Sequence, residues 1–212
     1  MTFPAGAGST WTGYSIAPLG RPVPVEAWSP PPQPCIDRTR SIATVPAEVA
    51  GRVLLDDPAA VAELEADLRR RRAVLLAAES TGVARWCLEA AADYARIRRQ
   101  FGVPIGTFQA VKHRLADLLI AVENARAATW GGAWSIASGW RDAPISAAMA
   151  KAVATENARI VANATLQLHG GIGMTWEHDV HLYLRRAKVN ENLGGTPAEH
   201  FATVAALLLD EA

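Results

Sequence analysis

Two cysteines in 212 residues, no net charge and no long apolar run set the first limits on this chain. Cys35 and Cys87 stand in unlike contexts, so neither a disulfide framework nor a zinc spacing is written here. The 21 basic and 21 acidic residues cancel, which removes the electrostatic reason to expect nucleic acid or an anionic membrane as partner. No uninterrupted apolar stretch reaches membrane-spanning length. The start, MTFPAGAGSTW, lacks the basic end and apolar core of a signal peptide, and Met1 reads as a natural beginning. A reducing cytoplasm is the expected location.

What is present divides near residue 55. Residues 1–55 are dense in Pro and Gly, above all in PVPVEAWSPPPQPC, and most of that span cannot be helical. Short extended pieces are expected at Thr12 to Ala17, Pro22 to Trp28 and Arg38 to Val45, too few for a sheet of their own. Residues 56–212 read as helix. Asp56 and Asp57 before Pro58 make a helix start, and the first helix is expected from Pro58 to Gln100 with Gly82 as its weak point. A second carries Phe108, Val111, Leu115, Leu118 and Val122 as one apolar stripe and should reach Gly139. A third, from Pro144 to Gly170-Gly171, places Ile145, Met149, Val153, Ile160 and Ala164 on one face. Its many alanines (143, 147, 148, 150, 152, 154) should let neighbours approach closely. Shorter helices follow at Glu177 to Leu193 and Pro197 to Leu209. The fold expected is mainly α, an up-and-down four-helix bundle behind a short β or irregular N-terminal segment.

The turn YARIRRQFGVPIGTFQAVKHRLAD, Tyr94 to Asp117, carries more cations and amides than a connection needs. Arg96 and Arg99 suit a helix C-terminus, where cations oppose the dipole. Arg98 stands apart, because Phe101, Gln109 and the amides opening the next helix gather beside it. A guanidinium at a helix N-terminus suits a phosphate or pyrophosphate. The Arg69 to Arg72 run after Glu63, Glu65 and Asp67 reads as a solvated, salt-bridged face, with a contact to a ligand phosphate as the sharper alternative. His178 and His181 have metal-compatible spacing but no third ligand, so no metal is expected. Trp130, Trp134 and Trp140 read as core or subunit-interface anchors. His113 reads as structural.

The Tyr94 to Asp117 stretch resembles the helical-domain motif of the acyl-CoA dehydrogenase family, and QLHGGIGMTWEHDVHLYLRRAK, Gln167 to Lys188, is similar to a second family segment. The resemblance covers roughly Asp37 to Leu209, the end of the family's β domain and its C-terminal bundle. It implies that Arg98, Gln100, Phe101, Ile105, Phe108, Gln167, Gly170 and Gly171 line an FAD held mainly by another chain. It implies an oligomer, an acyl-CoA substrate and electron-transfer flavoprotein as acceptor.

The same resemblance exposes a departure. The reaction needs a carboxylate to remove the α proton while hydride leaves for the flavin. The family's usual glutamate position matches Gly194, in Asn192-Leu193-Gly194-Gly195-Thr196, and the alternative position matches Arg72. No catalytic base is therefore assigned. Glu79, Glu177 and Glu191 are the remaining carboxylates to weigh. The expected role is a subunit of a heteromeric acyl-CoA dehydrogenase of the actinobacterial type, completing the flavin site of a longer partner. Two alternatives stand beside it: a non-enzymatic helical scaffold derived from the family, and a homo-oligomeric flavoprotein with an unusual base.

Overall fold

The computed structural model describes residues 14–16, 22–24, 33–42 and 55–210. Two compact units divide the chain, Met1–Leu68 and Arg69–Ala212. In the first, β1 (Tyr14–Ile16) and β2 (Pro22–Pro24) pair antiparallel, with Ser15 opposite Val23. Gln33 and Ile42 form a bridge around a turn. The turn corrects part of the strand expected from Arg38: the Asp37 carboxylate accepts from the Thr39 amide at 2.9 Å and the Thr39 hydroxyl at 2.6 Å, locking 37–40 into an Asx-type turn. The rest of the three expected segments lies outside the described residues.

The helix α1 (Pro58–Ile97) begins where Asp57 receives the Ala59 amide at 3.3 Å and Pro58 supplies the first turn. It runs unbroken through the exposed Gly82, so the weak point costs propensity without breaking the helix. It stops at Ile97, short of Gln100, because the next residues pair instead as β3 (Arg99–Gln100) and β4 (Val103–Pro104). A 3₁₀ turn at Ile105–Thr107 leads into α2 (Gln109–Ala137). Gly139, at φ 66°, closes α2: the Trp140 amide returns to the Ser135 carbonyl at 2.9 Å. Next come α3 (Ala143–His169), a 3₁₀ turn at Gly170–Met174, α4 (Val180–Asn192) and α5 (Pro197–Asp210). The fourth helix thus starts three residues later than expected, since Gly170 at φ 64° and the turn after it take up the chain. A capping box opens α5, with Thr196 N donating to Glu199 Oε2 at 2.7 Å and Glu199 N to Thr196 Oγ1 at 3.3 Å.

The part of α1 in the second unit, with α2, α3 and α4, makes the expected up-and-down bundle. Its core is built from small side chains. One cluster joins Val83, Ala84 and Cys87 of α1, Leu118 and Val122 of α2, Ala158, Val161 and Ala162 of α3, and Ala187 of α4. The other joins Val74 and Ala77 to Ala125, Ala147, Ala150 and Ala154. The alanine richness of α3 acts as expected. Ile145, Met149, Val153 and Ile160 are only half-buried, however, because the close approach leaves room for alanine and pushes larger side chains to its margins. The stripe on α2 likewise holds at Leu118 and Val122 but fades toward Phe108, which is 36 % exposed. Trp130, Trp134 and Trp140 are exposed and cannot be core, since Thr129, Gly132 and Ser135 take the inward positions of α2.

Polar bonds between helices fix the register. Thr165 Oγ1 donates to the Cys87 carbonyl at 3.0 Å, and Thr81 and Thr129 bond through their hydroxyls at 2.9 Å. Buried Asn190 reaches Ser80 Oγ and Glu79 Oε2, both at 3.2 Å, while Arg186 closes on Glu79. Each such bond contributes on the order of 1 kcal/mol net, but breaking one strands a buried partner at greater cost.

A buried lysine sets the alkaline stability. Lys151 lies wholly inside, its ammonium donating to the Gly195 carbonyl at 2.8 Å and the Glu191 carbonyl at 3.3 Å. Burial pushes its pKa down from 10.5 to about 8, with Glu191 opposing and Arg72 adding. From about pH 8 upward the unfolded chain holds the lysine proton that the folded chain has released, so stability rises with pH. Burial pushes the Cys87 thiol from 9.0 up to about 12, which works the other way above pH 9. Urea midpoints should therefore climb between pH 8 and 9, level off to about 10.5, and fall above it. In Lys151→Met the climb should vanish; a climb that persists would contradict the buried-amine assignment.

Candidate functional site

The turn between α1 and α2 is a two-residue hairpin. Gln100 pairs with Val103 across Phe101 and Gly102, which have φ of 53° and 81°. Positive φ at both positions is the type I′ pattern, which favours Asn-Gly. Phenylalanine in the first position is unfavourable, and its ring is 93 % exposed. The fold thus holds an aromatic ring out in water on a strained backbone. Phe108 meets it edge-on, ring centroids 6.2 Å apart. The hairpin sits tightly on α1: Ile105 N donates to Arg98 O at 2.8 Å, and a Cβ at Gly106 would stand 2.9 Å from the Ala95 carbonyl oxygen.

The arginines separate clearly. Arg96 pairs with Asp93 at 2.5 Å in the last turn of α1. Arg98 and Arg99 are exposed, and neither has an ion-pair partner among the described residues. Gln100, Phe101 and Phe108 are exposed with them, and Ile105 is half-buried.

The second segment arrives at the same end of the bundle. Tyr94 stacks on His169, ring centroids 4.3 Å apart, and His169 in turn lies 4.4 Å from the His178 ring. This places the start of the Gln167 to Lys188 stretch beside the start of the Tyr94 to Asp117 stretch. Gln167, Gly170 and Gly171 are exposed, and nothing stands within 4 Å of where a Cβ on either glycine would lie. Bare backbone there leaves room for a ligand to approach closely. His169 Nδ1 lies 2.8 Å from the Thr165 carbonyl, which can only accept, so Nδ1 carries the hydrogen. Its buried Nε2 is then an acceptor with no partner among the described residues, and burial holds the ring below the usual histidine range.

These features fit one edge of a flavin dinucleotide. An unpaired guanidinium, an exposed flat ring and open glycine backbone suit a pyrophosphate and a planar heterocycle. They fit an edge only, with no carboxylate shown to face it.

Gly194 and Arg72, which the resemblance matches to the family's base positions, lie elsewhere and meet each other. A Cβ at Gly194 would stand 3.0 Å from Arg72 Nε and 3.3 Å from its Cζ. The Arg69 to Arg72 run is therefore not simply a solvated face at its last member. Among the remaining carboxylates, Glu79 is tied to Arg186 and Asn190, and Glu191 to Arg159 at 2.7 Å and Lys188 at 3.3 Å. Both hold the bundle together. Glu177 is exposed in the turn before α4. No group of three or more His, Cys, Asp or Glu among the described residues is placed to hold a metal, and His178 uses Nδ1 to accept the Val180 amide at 3.3 Å. Sequence reading missed Lys151 and His200. A single charge between Ala150 and Ala152 was the available signal for the first; for His200 there was none.

Comparison with known proteins assigns the helical part of the chain. Residues 62–209 match the domain family described as "Acyl-CoA dehydrogenase, C-terminal domain". Acyl-CoA dehydrogenase IpdE2 of Mycobacterium tuberculosis is 39% identical over 189 residues, which are 89% of this chain and 50% of that protein. Acyl-CoA dehydrogenase FadE34 of the same organism is 44% identical over 151 residues, 70% of this chain and 21% of that one. Among solved structures, the Tcur3481-Tcur3483 steroid ACAD variant superposes with a TM-score of 0.78 at 31% identity, covering 93% of this chain and 54% of that one. Butyryl-CoA dehydrogenase from Megasphaera elsdenii gives 0.75 at 26% identity, covering 89% and 51%. The chain spans about half the length of IpdE2 and about a fifth of FadE34. No described helix is long and apolar enough to cross a membrane.

Proposed function

Because this chain belongs to the acyl-CoA dehydrogenase family, through its C-terminal domain, we propose that it is a subunit of an FAD-dependent heteromeric acyl-CoA dehydrogenase. On this reading a longer partner chain holds most of the flavin and supplies the base, and residues 1–55 are a remnant of the family's β domain. The present chain closes the flavin site with Arg98, Gln100, Phe101, Ile105, Phe108, Gln167, Gly170 and Gly171. The observation that carries the reading is Phe101, a large apolar ring held 93 % exposed on a strained backbone. Strain of that kind persists where the surrounding structure over-determines it, and ligand contact is its usual use.

A bound flavin would supply the acceptor for the hydride of the acyl β carbon. The work of this chain's own residues is binding and orientation. Arg98 offers a forked cation to a phosphate oxygen pair, Phe101 a face for stacking, and Gly170 and Gly171 a close backbone approach. None of the eight is a group that takes the α proton, and Gly194 and Arg72 offer no carboxylate for it. The acyl-CoA substrate and the electron-transfer flavoprotein are then partners of the complex as a whole. The Tcur3481-Tcur3483 steroid ACAD, whose name joins two gene products, is the neighbour that favours a two-chain enzyme.

Co-expression with a full-length acyl-CoA dehydrogenase chain from the same source tests this. The complex should carry FAD and oxidise acyl-CoA, while the isolated chain binds flavin weakly and shows no turnover. In the complex, Arg98→Ala should loosen FAD about tenfold or more, with the circular dichroism melt unchanged. Tight stoichiometric FAD on the isolated chain, or turnover with an artificial acceptor, would sink the proposal.

A further inference from the structure

Gly194 and Arg72 come together on α1 well away from the turn proposed to face the flavin. Arg72 and Arg98 are 26 residues apart, which along a helix is roughly 39 Å. Around the Gly194–Gly195 turn three basic side chains gather. Arg72 lies over Gly194, His200 Nε2 is 3.1 Å from the Gly194 carbonyl, and Lys151 Nζ donates to the Gly195 carbonyl at 2.8 Å. The two glycines have φ of 76° and 107°, so their carbonyls turn toward these donors in a backbone shape that other residues resist.

The acids nearby are committed elsewhere. Glu191 is bound by Arg159 and Lys188, and Glu199 caps α5 through the Thr196 amide at 2.7 Å and hydroxyl at 3.0 Å. Arg72 has no carboxylate partner among the described residues, and its side chain is exposed. Lys151 and His200 have already spent their bonds on the turn. The guanidinium of Arg72 is the donor set left open, in a field made more positive by the Lys151 ammonium behind it, while His200, held below the usual histidine range, serves the turn as a neutral donor. The pKa values of both Lys151 and His200 are lowered first by burial and further by Arg72, which reports the same proximity.

We propose that Arg72, backed by Lys151 and His200 over the Gly194–Gly195 turn, binds the carboxylate of an acidic acyl thioester, one whose acyl chain ends in a second carboxyl group. The planar fork of arginine matches a carboxylate with two parallel bonds. Glycine at 194 lets the guanidinium lie close against the turn, where a Cβ would stand 3.0 Å from Nε and push it aside. The thioester part of the proposal rests on the dehydrogenase reading. The carboxylate contact does not, and it can be measured without flavin.

The test uses the full chain, alone and in its complex, with glutaryl-N-acetylcysteamine and butyryl-N-acetylcysteamine as probes, which carry no CoA phosphates. Isothermal titration should show the glutaryl thioester binding at least tenfold more tightly. Arg72→Gln should erase the difference and Arg72→Lys retain part of it, since lysine keeps the charge and loses the fork. Equal affinity for the two thioesters, discrimination that survives in Arg72→Gln, or failure of both to bind would overturn the proposal and leave the flavin reading untouched. Displacement of the glutaryl thioester by an equal concentration of inorganic phosphate would also overturn it, because the site would then be a general oxyanion site.

Discussion

Phe101→Asn should make the isolated chain more stable and the assembled enzyme poorer in flavin. The hairpin has positive φ at both turn residues, and Asn-Gly is the pair that such a turn favours. Removing phenylalanine from a left-handed backbone should gain about 1 kcal/mol. The lost edge contact with Phe108 offsets little of this, because it leaves the Phe101 ring 93 % exposed. In the proposed complex the same change removes a stacking face, and aromatic stacking on a planar heterocycle is worth about 1–3 kcal/mol, or roughly ten- to a hundredfold in affinity. Urea midpoints on the chain and flavin retention on the complex check the two halves. A loss of stability with unchanged flavin would mean that Phe101 serves packing, and the functional reading of the turn would fall with it.

Gly132→Leu should bring the largest loss of stability. A Cβ at 132 would stand 2.9 Å from Ala150 Cβ and 3.1 Å from both the Ser146 carbonyl oxygen and Val74 Cγ2. Backbone and a Cβ cannot swing aside, so α2, α3 and α1 would have to part. The cost is about 3 kcal/mol or more, a large share of the stability of an ordinary domain. Its neighbour supplies the control. Gly131 has nothing within 4 Å of its Cβ direction, and Gly131→Leu should gain up to about 1 kcal/mol from helix propensity. Equal effects of the two substitutions on the urea midpoint would show that the close crossing at Gly132 is not what holds the bundle.

The bundle was legible because its signals are local. Pro58, Pro144 and Pro197 mark helix starts, and the alanines of α3 announce close neighbours. The inward face of α3 was misjudged for the same local reason. Periodicity favoured Ile145, Met149 and Val153, while the tight crossing at Gly132 and Ala150 admitted only small residues. The residues proposed to face a flavin were named through resemblance, but the strain at Phe101 was not legible, since its φ depends on hairpin geometry that no residue type declares. The meeting of Arg72 with Gly194 was hidden altogether. It depends on α1 and the α4–α5 turn lying side by side, a tertiary fact carried by Asn190, Arg186 and Lys151 at a distance in the chain.

The unbroken course of α1 through Gly82 has a consequence for how this protein can change. Both ends of the bundle hang on one helix, so inserting or deleting a single residue between Arg72 and Arg98 would rotate one end against the other by about 100°. Substitutions along that span can be absorbed one at a time, but its length cannot drift. The number of residues in α1 is thus as much a specification of this protein as any side chain it carries.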